Sequence, residues 1–177
     1  MSCSHTVTHG LSASLKLRGA EALLAQKEAD ARLSADLVRR QAERLAGLEV
    51  RPINYDHVPG CTYCDPEVGS VGLTEAEAKR RGYDVRIGSF PFGVLGRAKM
   101  AGETEGFVKI VGEQRHDQLL GVHVIGPRAT EIIAEAVAAL RLEATVEDLV
   151  RTIHAHPTMA EAMGEAAHAA HGAAIHI

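Results

Sequence analysis

Two β-branched runs, Gly106-Phe-Val-Lys-Ile-Val-Gly112 and Leu119-Leu-Gly-Val-His-Val-Ile-Gly126, flank the polar stretch Glu113-Gln-Arg-His-Asp-Gln118. Branched and aromatic side chains suit a pleated, half-buried surface, and a short polar break between two such runs makes an antiparallel hairpin. The segments around the hairpin then decide the fold class. Upstream, Tyr83-Asp-Val-Arg-Ile-Gly-Ser-Phe90 alternates with period two and predicts another strand. Before it, Thr74 is placed to cap a short helix, with Glu77 at the capping-box position and Arg81-Gly82 at the end. The stretch from Cys61 to Gly72 carries Tyr63, Val68 and Val71, but Asp65-Pro66 interrupts it, so an irregular or edge strand is expected. Val94 to Ala101 reads as a turn or a short helix.

Downstream of the hairpin the period changes. Thr130 opens a helix through Leu142, with Ile133, Val137 and Leu140 on one side and Glu131 and Glu135 on the polar side. Thr145 caps a second helix from Val146 to Ile153, and an Ala-rich helix runs from Pro157 to about Ala170. Strands followed by segregated helices predict an α+β domain, an antiparallel sheet with helices on one side. Hydrophobic residues make up 46% of the 177, aromatics only 3%, and Trp is absent. The core is therefore expected to be built from Ala, Val, Leu and Ile.

The segment Leu11 to Gly47 is rich in Ala, Leu, Lys, Arg, Glu and Gln, which are good helix formers. Ser34 fits an N-cap, Ala35 to Ala46 a helix, and Gly47 a left-handed C-terminal residue. Leu33, Leu37, Val38 and Leu45 give only a partial apolar stripe, and the mixed charges at Lys27, Glu28, Asp30 and Arg32 read as a solvated face. Pro52, Pro59 and Gly60 punctuate a linker. The expected division is a helical N-terminal leader over 1–48 and one domain over 49–177.

Charge and cysteine usage narrow the partners. A net charge of −4 and a pI near 6.2 argue against nucleic acid, which requires a basic face. No run of about 18 apolar residues exists to span a membrane. The N-terminal residues lack the basic and apolar regions of a signal peptide, and three cysteines at scattered spacing are no disulfide framework. A reducing cytoplasm is the expected compartment. Cys3, His5 and His9 lie close together without a further ligand cluster, so no metal site is expected and a frayed terminus is the better reading. Cys61-Thr-Tyr-Cys64 resembles a redox C-x-x-C only in spacing. It lies on an expected strand, where residues three apart point to opposite faces, so ordinary buried cysteines are expected.

The chemistry concentrates in His154-Ala-His156-Pro-Thr158-Met-Ala-Glu161. Imidazole titrates near neutral pH and a carboxylate can fix its tautomer, so His156 with Glu161 has the composition of an acid/base pair. The same letters read as a helix start, because Thr158-x-x-Glu161 fits a capping box and Pro157 suits a first turn. The letters alone leave both readings open.

From about Ala42 onward the sequence resembles the C-terminal dimerisation domain of dihydrolipoyl dehydrogenase, a pyridine nucleotide-disulfide oxidoreductase and the flavoprotein of the 2-oxoacid dehydrogenase complexes. The resemblance is carried by Arg51-Pro-Ile-Asn-Tyr-Asp-His-Val-Pro59, Tyr63-Cys-Asp-Pro-Glu-Val-Gly-Ser-Val-Gly-Leu-Thr74 and Gly102-Glu-Thr-Glu-Gly-Phe-Val-Lys-Ile110. Gly121-Val-His-Val-Ile-Gly-Pro127, Ala129-Thr-Glu-Ile-Ile-Ala-Glu-Ala136 and Thr152-Ile-His-Ala-His-Pro-Thr158 continue it in the family's order. The resemblance implies that His156 exchanges a proton with a dithiol substrate and that Glu161 holds and polarises its ring. It also implies FAD, NAD, and a partner subunit whose flavin and disulfide the pair would reach. His154 is read as structural.

The departures are as informative. No G-x-G-x-x-G follows a strand and no C-x-x-x-x-C occurs, so no cofactor-binding residue is expected in this chain. The chain reads as the terminal third, or a fragment, of a longer enzyme, inactive alone. Its partner would be a second copy or a full-length flavoprotein subunit. Two alternatives stand beside this: a non-enzymatic dimerisation or regulatory module, and the same domain from a glutathione or mercuric reductase relative.

Overall fold

The computed structural model describes residues 37–50 and 52–176. The expectations for Cys3, His5, His9 and Ser34 fall outside these residues. The chain divides into two compact units, Met1–Ile53 with Thr62–Cys64, and Asn54–Cys61 with Asp65–Ile177. In the first, α1 covers residues 37–45. Gly47 takes φ +76, where a side chain would be strained. The Leu48 amide bonds the Glu43 carbonyl and the Gly47 amide bonds that of Arg44, a Schellman ending that satisfies two orphan carbonyls. Val38 and Leu45 are exposed.

The second unit is built on a five-stranded sheet: β1 (Gly60–Thr62), β2 (Glu67–Gly72), β3 (Val85–Pro91), β4 (Phe107–Glu113) and β5 (Leu119–Gly126). Their order is β1-β2-β5-β4-β3. The hairpin lies at its heart, β4 pairing antiparallel with β5 and each pairing antiparallel with one further strand, β3 and β2. A register shift at Val111/Gly112 lets the polar turn close. Five helices complete the unit: α2 (Glu75–Arg80), α3 (Gly96–Ala101), α4 (Ala129–Arg141), α5 (Val146–Arg151) and α6 (Glu161–Ala170).

The longer helices cover one face, α4 over β2 and β5, and α6 over β3 and β4. Two glycines let them sit down on the sheet. A Cβ at Gly69 would stand 2.5 Å from the Ala129 carbonyl oxygen, and one at Gly88 only 2.0 Å from that of Ala166. Between sheet and helices, Val108, Ile110, Val122 and Val124 meet Ile133, Ala136, Met163 and Ala166. Phe90, Phe92 and Met163 are fully buried there as well, so the core is not purely aliphatic. Few aromatics exist, and the largest apolar side chains go inside because they remove the most surface from water. A smaller cluster of Leu73, Val111 and Leu120 around Ala78 of α2 uses residues that alternate with the main core, toward the other face.

Local signals place most boundaries. Thr145 and Asp148 form a reciprocal capping box at α5, and Thr74 accepts from the Glu77 amide at α2. Glu77 does not complete a box, because its carboxylate is drawn to Arg80 and Arg81. Two expectations are corrected. Helix α4 starts at Ala129, one residue before the expected Thr130, whose amide and hydroxyl both bond Glu67 on β2, at 3.1 and 2.7 Å. Helix α6 starts at Glu161 instead of Pro157, because Glu161 turns back to the Thr158 amide and the preceding residues stay in turns.

Candidate functional site

The residues between α5 and α6 run over the ends of the helical layer and carry both histidines of the motif. Thr152 ends α5, its hydroxyl donating to the Asp148 carbonyl at 2.8 Å. Met159 is buried and plugs the segment into the core. Between these anchors, Thr158 Oγ1 donates to the Ala155 carbonyl at 2.7 Å and closes a tight turn around His156. The His156–Pro157 peptide is cis.

His156 stands out from this turn with its side chain 80% exposed. Its Nδ1 lies 2.7 Å from Glu161 Oε1. An ionised carboxylate only accepts, so Nδ1 carries the proton and Nε2 of the neutral ring presents a lone pair outward. Glu161 Oε2 accepts the Thr158 amide at 2.7 Å, which fixes the carboxylate from its other side. Partial burial pushes Glu161 up, but the Thr158 amide and His156 outweigh it and the net shift is downward. The carboxylate thus stays ionised and stabilises an imidazolium when His156 takes a proton. The two readings of the motif meet in one group: Glu161 orients His156 and half-completes a cap. Thr158 Oγ1 is turned elsewhere.

His154 faces inward, its side chain 11% exposed. Its Nε2 lies 2.8 Å from Glu135 Oε1 on α4. A Cβ at Gly164 of α6 would meet the ring at 3.2 Å. Glu135 was not legible as a site residue, since its place on the polar side of α4 signals only solvation. A cavity of about 390 Å³ lies beside the turn, lined by Arg97, Arg128, Glu131, Ile132 and Pro157 to Ala160, without His156 in its wall.

Other groups singled out from sequence do less. Cys61 is half-buried on β1, where burial, then Glu67 and Glu131, push its thiol up, away from a reactive thiolate. Cys64 is exposed rather than buried, its Sγ 3.9 Å from the Thr62 carbonyl. Among the described residues no three His, Cys, Asp or Glu side chains are grouped to hold a metal ion. No helix among them is long and apolar enough to cross a membrane.

A five-stranded antiparallel sheet with this helical layer is the fold of a flavoprotein disulfide reductase dimerisation domain. Residues 58–167 match the pyridine nucleotide-disulphide oxidoreductase dimerisation domain family, and the chain belongs to it. It is 53% identical over 134 residues to dihydrolipoyl dehydrogenase of Bacillus subtilis, covering 76% of this chain and 28% of that protein. To the mitochondrial dihydrolipoyl dehydrogenase of Pisum sativum it is 50% identical, covering 76% of this chain and 27% of the relative. The crystal structure of LpdA from Mycobacterium tuberculosis superposes with a TM-score of 0.66 at 28% identity, over 71% of this chain and 27% of that one. The chain thus spans little more than a quarter of the length of these relatives.

A dinucleotide is held by a glycine-rich turn whose helix N-terminus faces the phosphates. At α4, the longest described helix, that place is taken: Glu67 occupies the Thr130 amide and hydroxyl. The start of α4 therefore does not fit a dinucleotide phosphate.

Proposed function

We propose that this domain supplies the His156–Glu161 pair to a partner subunit for NAD-linked oxidation of dihydrolipoamide. The observation that carries the reading is the ring held at Nδ1 by Glu161 with Nε2 open to the outside. FAD, a redox disulfide and NAD would all belong to the partner and supply the electron chemistry. The part played by this chain is a proton step. A substrate S–H bond breaks, the proton goes to His156 Nε2, and the imidazolium is held by Glu161 while the thiolate is left to react.

An acid/base whose side chain is 80% exposed beyond its Glu161 bond suits a site shared between subunits. The partner is a second copy in a longer homodimer, or a full-length flavoprotein subunit in a 2-oxoacid dehydrogenase complex. The scattered thiols suit a reducing cytoplasm. Residues 49–177 would form the working domain.

The test is complementation. A full-length dihydrolipoyl dehydrogenase subunit whose own pair has been removed is exchanged with this chain and assayed for dihydrolipoamide-dependent NAD reduction. Activity should appear in the mixture and fail with His156→Gln. Turnover by the isolated chain with FAD and NAD contradicts the shared-site reading. Association without restored turnover would favour a dimerisation or regulatory module.

A further inference from the structure

We infer that Glu135 is a positioning residue for the His156–Glu161 pair and acts through His154. The inference rests on reading His156 as the acid/base, and it begins with the bonds of the neighbouring ring. His154 Nε2 meets the Glu135 carboxylate at 2.8 Å, and an ionised carboxylate only accepts, so Nε2 carries a proton. Glu135 supplies the charge that favours the imidazolium, and His154 is accordingly raised above its ordinary value, by Glu135 first, against the opposing effect of burial.

The ring sits where three elements meet. Glu135 belongs to α4, Thr152 ends α5, and Gly164 on α6 leaves the ring room, as a Cβ there would lie 3.2 Å from His154 Nδ1. Gly164 is one helical turn beyond Glu161, so His154 is clamped onto the helix that carries the orienting carboxylate. Only Ala155 separates His154 from His156, and its carbonyl is held by Thr158. The charged groups facing His154 are Glu135 from α4 and Glu161 from α6; α5 offers the Thr152 backbone alone. The positive ring also helps keep Glu161 ionised. Without the Glu135 carboxylate the ring loses its anchor on α4, which frees the backbone leading to His156 and weakens the charge that orients it.

The test is histidine-selective 15N NMR of the whole chain, where ring shifts report protonation and tautomer without any turnover. In the wild type, His154 should titrate above an ordinary histidine and neutral His156 should hold its proton on Nδ1. Glu135→Gln should lower the His154 midpoint and turn His156 into a mixture of tautomers. Glu135→Asp, which keeps the charge, should restore the single tautomer in part. His154→Gln keeps a donor toward Glu135 but removes the cation, and should give the same mixture if Glu135→Gln fails to fold. An unchanged His156 tautomer in folded Glu135→Gln or His154→Gln overturns the inference, as does Glu135→Asp matching Glu135→Gln. Failure of complementation with an intact NMR response would instead count against the proposed reaction.

Discussion

Glu161 holds His156 Nδ1 with one carboxylate oxygen and the Thr158 amide with the other, both at 2.7 Å. One side chain therefore fixes the tautomer of the ring and the shape of the turn that carries it. Removing either partner should have different consequences. In the complemented enzyme, His156→Gln should lower turnover about 10²–10⁴-fold, the range for loss of a general acid/base. Its effect on folding should be small, since the ring is exposed. Glu161→Gln should lower turnover less, because an amide oxygen can still accept from Nδ1. It should also destabilise by about 1 kcal/mol, because its NH₂ then faces the Thr158 amide donor. Steady-state rates and urea midpoints separate the two effects. Equal destabilisation by both variants would contradict this division of roles.

The seat of α6 on the sheet gives a sharper stability test. A Cβ at Gly88 would lie 2.0 Å from the Ala166 carbonyl and 2.4 Å from the Ala170 amide, both backbone atoms that cannot swing aside. Gly88→Ala should cost at least the ~1–3 kcal/mol typical of overpacking, and it should lift the helix that begins at Glu161. Gly96 opens α3 with nothing within 4 Å of its Cβ position. Gly96→Ala should be neutral or stabilising by about 0.4–1 kcal/mol through the unfolded chain. Thermal melts of the two variants should move in opposite directions, or the second not at all.

How far the sequence reached is visible in the range of each interaction. The hairpin, the Thr145 capping box and the Gly47 ending depend on neighbours a few residues apart, and pattern alone places them. Letters also allowed a pairing of His156 with Glu161, only five positions on. The failures are contacts across the fold. Thr130 read as the plain first residue of a helix because Glu67, 63 positions away, was not in view. Glu135 looked solvated because His154 lies 19 positions ahead on another segment. Helix α6 began later than its proline suggested, since the carboxylate that should have helped cap it was bound to His156 as well. Local propensity sets the elements, and long-range pairing of polar groups decides where they stop and what they do.

Cys61 provides a chemical check on the C-x-x-C spacing. Burial raises its thiol, and the carboxylates of Glu67 and Glu131 add to the effect, so little thiolate exists at neutral pH. Iodoacetamide labelling followed by peptide mass spectrometry should show Cys61 reacting more slowly than an unstructured cysteine peptide at pH 7, the gap narrowing as pH rises. Rapid labelling of Cys61 at neutral pH would show that the site is electropositive and reopen a redox role.

The two inward histidines shift in opposite directions, which gives the pH dependence of stability a testable sign. Glu135 raises His154, so this group stabilises the fold below its unfolded value near ~6.5 and loses that contribution as pH rises through the folded value. Burial lowers His123, whose Nε2 lies 3.1 Å from the Leu73 carbonyl. Its protonation in the unfolded chain therefore costs stability as pH falls below about 6.5. The two slopes oppose each other in the wild type around that value. In His154→Gln the His123 slope is unopposed, so the thermal midpoint should rise as pH climbs toward about 6.5, more steeply than in the wild type. Further down, Glu75 and Glu77 are held at about 2 by Lys109 with Lys79 and by Arg80 with Arg81. Glu161 is lowered as well. These carboxylates contribute above their unfolded values, and that contribution is lost as pH falls from about 4.5 toward 2, so both proteins should share the same acid limb. Identical melting curves for wild type and His154→Gln across the whole range would show that His154 is not held as a cation.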